Sequence, residues 1–271
     1  MATAAINGTE LFYDELGEGP VCLLMHGGLG FDHTYFRPEF DALATDHRVV
    51  YYDHRGNGRS GRPPVDTLTM EQLADDAAAL LDHLGAAHAR VIGHSYGGFI
   101  GQEFALRHPD RLEALVLVDT TPGQLGDGEV EDTRGVQPPP EFLALMSTPP
   151  ASDAELAART PDMLPFYFHR AEKVDIAGHM ANTVFSVDAM MQSMMVLGGW
   201  SSVDRLKQVA VPTLVLFGRH DVITSWPQGE RIASRIPGAQ LQIFEESGHF
   251  PWLEQHDAFF ELLTGWLHDL G

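Results

Sequence analysis

One cysteine, Cys22, stands in 271 residues, so no disulfide can form within the chain and the redox argument for a secreted protein is missing. Its neighbours Val21, Leu23, Leu24 and Met25 place it in an apolar strand, where a lone cysteine is an inert packing residue. No segment reaches the about 18 consecutive apolar residues of a membrane span. The stretch Met1-Ala2-Thr3-Ala4-Ala5-Ile6-Asn7 lacks the basic region and apolar run of a signal sequence. A soluble cytoplasmic protein is the expectation. Basic side chains are also scarce: 17 Lys and Arg face 38 Asp and Glu, a formal charge of −21. A phosphate backbone or an anionic lipid surface is repelled by such a chain, so neither nucleic acid nor a membrane is an expected partner. Neither the H-E-x-x-H spacing nor paired cysteines occur, so no metal and no cofactor is expected. What remains is a chain of 44% hydrophobic residues, enough for a sizeable core.

The apolar pattern organises that core. Leu11-Phe12-Tyr13 and Val21 to Met25 read as strands joined through Gly17-Glu18-Gly19-Pro20, an antiparallel hairpin on this reading, followed by a helix over 34–44 and the strand Arg48-Val49-Val50-Tyr51-Tyr52. A helix over 69–84 follows, because Met70, Leu73, Ala77, Leu80, Leu81 and Leu84 recur at three- and four-residue steps behind a Thr69 cap, with Gly85 to end it. A strand near 90–94, a helix near 97–107 stopped by Pro109, and the strand Ala114 to Val118 continue the alternation. Uninterrupted apolar strands alternating with helices predict an α/β fold, a mostly parallel sheet covered on both faces. The rhythm breaks after Thr120 at Pro138-Pro139-Pro140 and Pro149-Pro150, and resumes at Thr213-Leu214-Val215-Leu216-Phe217. Residues 121–203 therefore read as a helical cap inserted into a core domain made of 1–120 and 204–271. A helix near 227–236, the strand Leu241 to Phe244 and a helix near 256–268 complete the core.

Gly93-His94-Ser95-Tyr96-Gly97 lies between a predicted strand and a predicted helix, the context in which G-x-S-x-G acquires meaning. A serine on so sharp a turn is crowded by its neighbours, and glycines two before and two after it relieve the crowding. A serine hydroxyl needs an imidazole to take its proton, and the imidazole needs a carboxylate to hold its tautomer. Asp221 follows the strand ending at Phe217, and His249 follows the strand ending at Phe244, so both occupy the strand ends where a parallel sheet builds its site. Asp119, at another strand end, is the rival acid. His26-Gly27-Gly28-Leu29-Gly30 follows the Val21 to Met25 strand and offers backbone N–H groups for an oxyanion hole. One donor is assigned to Tyr96 and the other to Gly28, with Leu29 as the alternative register. Gly56-Asn57-Gly58-Arg59-Ser60-Gly61 imitates a dinucleotide loop, but Arg62-Pro63-Pro64 prevents the helix that must receive the pyrophosphate.

These motifs together resemble the α/β-hydrolase superfamily: His26-Gly27-Gly28, the run Tyr52-Asp53-His54-Arg55-Gly56-Asn57-Gly58-Arg59-Ser60, the Ser95 turn and Gly248-His249. The chain is similar to the group of proline iminopeptidases, small esterases and acyl-homoserine lactonases. The resemblance implies Ser95 as nucleophile, His249 as base and Asp221 as its orienting acid. Iminopeptidases of that group carry Trp after the nucleophile and Pro after His-Gly-Gly, where Tyr96 and Leu29 stand here, which directs the reading toward an ester or a lactone. In the cap, Met190, Met191, Met194 and Met195 share one helical stripe and Pro165-Phe166-Tyr167-Phe168 adds aromatics. Leu29, Phe168, Met191 and Met195 are the candidate substrate-binding residues, and the expected substrate is a small molecule with a hydrophobic acyl group. An N-terminal prolyl amide, and a non-hydrolytic receptor on the same fold, are the alternatives. The sequence carries no sign of oligomeric state.

Overall fold

The computed structural model describes residues 1–126, 129 and 131–271. Its elements are, in order, β1 (Ala2–Ile6), β2 (Thr9–Leu16), β3 (Val21–Met25), β4 (Arg48–Tyr52), α1 (Met70–His83), β5 (Ala89–His94), α2 (Tyr96–Arg107) and β6 (Leu112–Val118). There follow α3 (Pro140–Met146), α4 (Asp153–Met163), α5 (Ile176–Met180) and α6 (Val187–Leu197), then β7 (Thr213–Gly218), α7 (Pro227–Ala233), β8 (Gln240–Phe244), α8 (Pro251–Glu254) and α9 (His256–His268). The eight strands form one sheet in the order β1-β2-β4-β3-β5-β6-β7-β8. β1, β2 and β4 pair antiparallel, and every pairing from β4 across to β8 is parallel.

The central strands β3, β5 and β7 are buried along their whole length, as uninterrupted apolar runs require when both faces are covered. One face packs a core that includes Leu73, Leu80, Ile100 and Phe104 from α1 and α2; the other packs one that includes Trp252, Phe259 and Leu263 from α8 and α9. Thr69 caps α1 by accepting from Gln72 N at 3.2 Å, and Gly85, at φ 67°, turns the chain out of its far end.

Two local expectations are corrected. β2 does not pair with β3; it lies between β1 and β4, because β3 already has parallel partners on both edges. The actual hairpin is β1 with β2, turned by Asn7 and Gly8 at φ 46° and 79°, the left-handed pair that two-residue hairpins favour. The helix expected over 34–44 is two 3-10 segments, His33–Phe36 and Glu39–Thr45, interrupted at Arg37-Pro38.

Between β6 and β7 the chain leaves the sheet to form α3 to α6. This segment is tied to the loops at the sheet's C-terminal edge: Ser186 N donates to Gly30 O at 2.8 Å, His249 N to Tyr167 O at 2.7 Å, and Arg62 reaches Phe185 O and Asp153. Among the described residues no helix is long and apolar enough to cross a membrane.

Candidate active site

Parallel strands bring their C-terminal ends to one edge, and the register fixes which loops meet there. Met25 pairs with Gly93, His94 with Val118, and Gly218 with Phe244, so the loops carrying Gly27, Ser95, Asp119, Asp221 and His249 are neighbours. Ser95 occupies φ 51°, ψ −116°, a strained conformation for a residue with a Cβ. The turn is tight enough that a Cβ on Gly93 would lie 2.5 Å from Gly97 O, and one on Gly97 would overlap Met25 O. A Cβ on Gly27 would stand 2.7 Å from that of Ser95. The glycines read from the motif are therefore steric necessities, and Ser95 is left half-buried against a cavity.

His249 is 2% exposed and its Nδ1 lies 2.8 Å from Asp221 Oδ2. Asp221 is fully buried and also accepts from Ile223 N at 2.7 Å, Thr224 N at 3.2 Å and Thr224 Oγ1 at 2.7 Å. Burial alone would raise its pKa, but the opposing charge of His249 and these hydrogen bonds hold the carboxyl below the ordinary carboxylate value. With Nδ1 engaged, Nε2 is the imidazole nitrogen left for proton transfer.

The rival acid sits beside this pair. Asp119, at φ 43°, accepts from Gly218 N through Oδ1 at 2.9 Å, while its buried Oδ2 has no partner. Burial, and then the Asp221 charge, push its carboxyl well above the ordinary range. The two carboxyls share one desolvated pocket and shift in opposite directions, Asp221 down and Asp119 up. Ligand-type atoms of Asp119, Asp221 and His249 lie within 4.8 Å of one another, the grouping most suited to a cation among the described residues. The 2.8 Å between His249 Nδ1 and Asp221 Oδ2 is hydrogen-bond spacing. Two tetrahedral zinc ligands at about 2.1 Å from the metal would stand about 3.4 Å apart, so the donor set fits a hydrogen-bonded cluster.

Gly28, at φ 71°, lies across the cavity from Ser95, and a Cβ there would be 2.5 Å from the Phe31 ring. The amides of Gly28 and Leu29 donate to no described residue, and that of Tyr96 opens α2, where no intrahelical acceptor exists. A buried chain of hydrogen bonds fixes the Gly27 loop. The Gly27 amide donates to Tyr35 Oη, Tyr35 Oη lies 2.8 Å from His94 Nδ1, and His94 Nε2 lies 2.9 Å from the His249 carbonyl oxygen. A carbonyl only accepts, so Nε2 carries the proton and Nδ1 accepts from the tyrosine. Burial, reinforced by the charge of His249, keeps the His94 pKa well below the histidine norm, consistent with a neutral ring.

The cavity has a volume of about 280 Å³ and includes Gly28, Leu29, Ser95, Tyr167, Ile223 and His249 in its wall. Of the candidate binding residues, Leu29 lines it. Phe168 turns aside to stack on Phe250 at 5.1 Å, and its neighbour Tyr167 takes the place expected of it, edge-on to His249 at 5.4 Å. Met191 lines a separate compartment, and Met195, 71% exposed, lines neither. Sequence reasoning missed Tyr35, Tyr167, Phe142, Met146, Leu156 and Met163; the aromatic run around 166–168 was the one signal for any of them.

A family model described as the alpha/beta hydrolase fold matches residues 20–255, and the chain belongs to that family. Within it the chain sits in the esterase and lactonase group, and the protein is a hydrolase. It is 32% identical to the protein named "Putative carbamate hydrolase RutD" of Caulobacter sp. (strain K31), over 96% of this chain and 95% of the relative. The enol-lactonase of Burkholderia xenovorans LB400 superposes with a TM-score of 0.80 at 29% identity, covering 98% of this chain and all of that one. Est816, described as an N-acyl homoserine lactone degrading enzyme, superposes at 0.76 with 25% identity, covering 97% and 99%.

Proposed function

We propose that this hydrolase cleaves the ester or lactone bond of a small hydrophobic acyl substrate through an acyl-enzyme on Ser95. The observation that carries the reading is that Ser95, on its strained turn, shares one apolar cavity with His249, and that Asp221 is buried behind the imidazole at 2.8 Å. Ser95 Oγ attacks the acyl carbonyl as His249 Nε2 takes its proton; the proton passes to the leaving alkoxide, and water repeats the sequence to release the acid. Asp221 holds the imidazole in the tautomer this requires. The amides of Tyr96 and Gly28 receive the developing oxyanion, a role in which removing one donor typically costs a factor of about 100–1,000 in kcat. Residues 121–203 act as a cap over the core formed by 1–120 and 204–271.

A prolyl aminopeptidase needs a carboxylate to hold the substrate ammonium, and no acidic side chain lines this cavity among the described residues. Asp153 pairs with Arg62 at 2.7 Å, Asp175 caps α5, and Asp162 and Glu172 face solvent. Carbamate hydrolysis is the second reading, favoured by the name of the 32% identical relative. It uses the same attack on a carbonyl. Ser95→Ala should abolish turnover of p-nitrophenyl esters and labelling by a fluorophosphonate while the far-UV circular dichroism stays unchanged. Retained turnover refutes the assignment of Ser95, and ligand binding without turnover by the unaltered protein would make it a receptor. Assaying an ester, a lactone, a carbamate and a prolyl amide side by side separates the substrate classes.

A further inference from the structure

A second compartment of about 220 Å³ adjoins the Ser95 cavity. Met146, Leu156 and Met163 belong to the walls of both. Alone, the 280 Å³ around Ser95 falls just below the range of about 300–1,000 Å³ usual for small-ligand sites; with the second compartment the space falls within it.

The outer compartment is apolar for a definite reason. Of its polar side chains, Arg159 donates to Leu145 O at 2.6 Å and lies 3.6 Å from Glu155, Thr160 donates to Leu156 O at 2.8 Å and Ser147 to Ala144 O at 2.7 Å, while Thr148 is exposed to solvent. What faces the space is mostly methionine, leucine and proline. Three of the exposed large apolar side chains of the protein, Met146, Met191 and Met194, at 46%, 38% and 45% exposure, gather on this one feature. Exposed apolar surface concentrated at a cavity marks a place where something apolar binds. Unbranched methionines at the partition can change rotamer to open it without moving the backbone.

We propose that the outer compartment receives the distal end of a linear acyl chain whose carbonyl lies at Ser95, so that the preferred substrates are esters or lactones of medium-chain fatty acids. The inference rests on Ser95 as the acylated residue. The occupant is the substrate's own tail, because the compartment shares its inner wall with the reaction cavity. A chain passing the Met146, Leu156 and Met163 partition continues to lose contact with water, and each methylene buried there raises kcat/KM by up to about fourfold.

The test is a series of p-nitrophenyl acetate, butanoate, hexanoate, octanoate and decanoate. The expected result is a kcat/KM that climbs through octanoate. Met191→Trp, which fills the outer compartment, and Met191→Asp, which charges it, should each lower the octanoate-to-acetate ratio at least tenfold. Both substitutions are at a partly exposed helix position, and thermal melting checks that the fold survives. A ratio unchanged in both variants, or a kcat/KM that is flat or falling beyond butanoate, overturns the proposal while leaving the hydrolase reading intact. Absence of turnover on every ester together with absence of fluorophosphonate labelling removes the Ser95 reading and the inference with it. Loss of a dimer by Met191→Asp on size-exclusion chromatography would assign the methionines to a subunit contact and overturn it too.

Discussion

Replacing Tyr35 by phenylalanine removes one oxygen and, on the geometry above, disconnects three parts of the site. The phenol accepts from the Gly27 amide and donates to His94 Nδ1, while His94 Nε2 donates to the His249 carbonyl. Burial raises the Tyr35 pKa well above its usual value, so the hydroxyl keeps the proton it donates. The ring itself remains packed on Trp252 and Phe250 in the variant, so no cavity larger than the lost oxygen opens. Two buried groups, one N–H and one imidazole nitrogen, are left without partners. At about 1–3 kcal/mol for each unsatisfied group, Tyr35→Phe should cost about 2–6 kcal/mol in urea unfolding. Gly27 precedes the Gly28 amide, so the loop relaxes at the proposed oxyanion site, where a displacement near 1 Å costs on the order of 100-fold in rate. The loss should fall on kcat rather than KM, since the interaction matters only once charge develops. A variant within about 0.5 kcal/mol of the parent and with unchanged kcat would refute the assigned hydrogen-bond directions.

Stability should vary with pH through the buried histidines, His47 among them, and through Asp119. Burial holds His26, His54 and His94 below the ordinary 6.5, so they fold neutral, and stability present above 6.5 is lost as pH falls and the unfolded chain takes three protons. Asp119 has the opposite sign, because burial raises its folded pKa above 3.8 and the folded chain keeps one proton the unfolded chain releases. Stability should therefore fall as pH drops through 6.5, where the histidines outnumber the single proton held by Asp119. Urea titrations from pH 5 to 8.5 measure it, and stability rising steadily toward acid would contradict the buried neutral histidines. Asp119→Asn replaces a carboxyl whose pKa burial raises by a neutral amide whose oxygen can still accept from Gly218 and whose nitrogen can face Asp221. The pH profile of kcat/KM should keep its acid limb in place; a limb moved toward lower pH would mean that Asp119 carries a charge which stabilises an imidazolium.

Much of the fold was legible because burial on both faces leaves a direct trace. β3, β6 and β7 carry the apolar runs Val21–Met25, 114–118 and 214–217, and α1 shows its period, its Thr69 cap and its Gly85 exit in the residues themselves. Pairing partners leave no such trace. Adjacent strands in sequence suggest a hairpin, yet β3 is claimed on both edges by parallel neighbours, a fact about residues 48–52 and 89–94 rather than about 9–25. Asn7-Gly8 was a readable hairpin signal, hidden because the first six residues have so few large apolar side chains. The expected helix over 34–44 had helical apolar spacing but contained Pro38, and the chain divides there into two short segments.

The candidate site divides along a similar line. The positions of Ser95, Asp221 and His249 at strand ends were readable because strand ends can be located from apolar runs; their roles stand as the proposal made above. Tyr35 belongs to no motif; its importance comes from reaching Gly27 and His94, 59 residues away from itself in the second case. The four methionines of the stripe do lie on α6, but a helical face is broader than a cavity wall. Met190 turns inward at 9% exposure, Met191 and Met194 border the outer compartment, and Met195 points to solvent at 71%. Period alone gives the angle of a side chain about its own helix, and only the position of α4 and the Pro149-Pro150 loop decides which part of that arc has something to face. On the proposed reading, chemistry is specified by residue type at strand ends, which sequence displays, whereas substrate length is specified by how the inserted helices approach one another, which it does not.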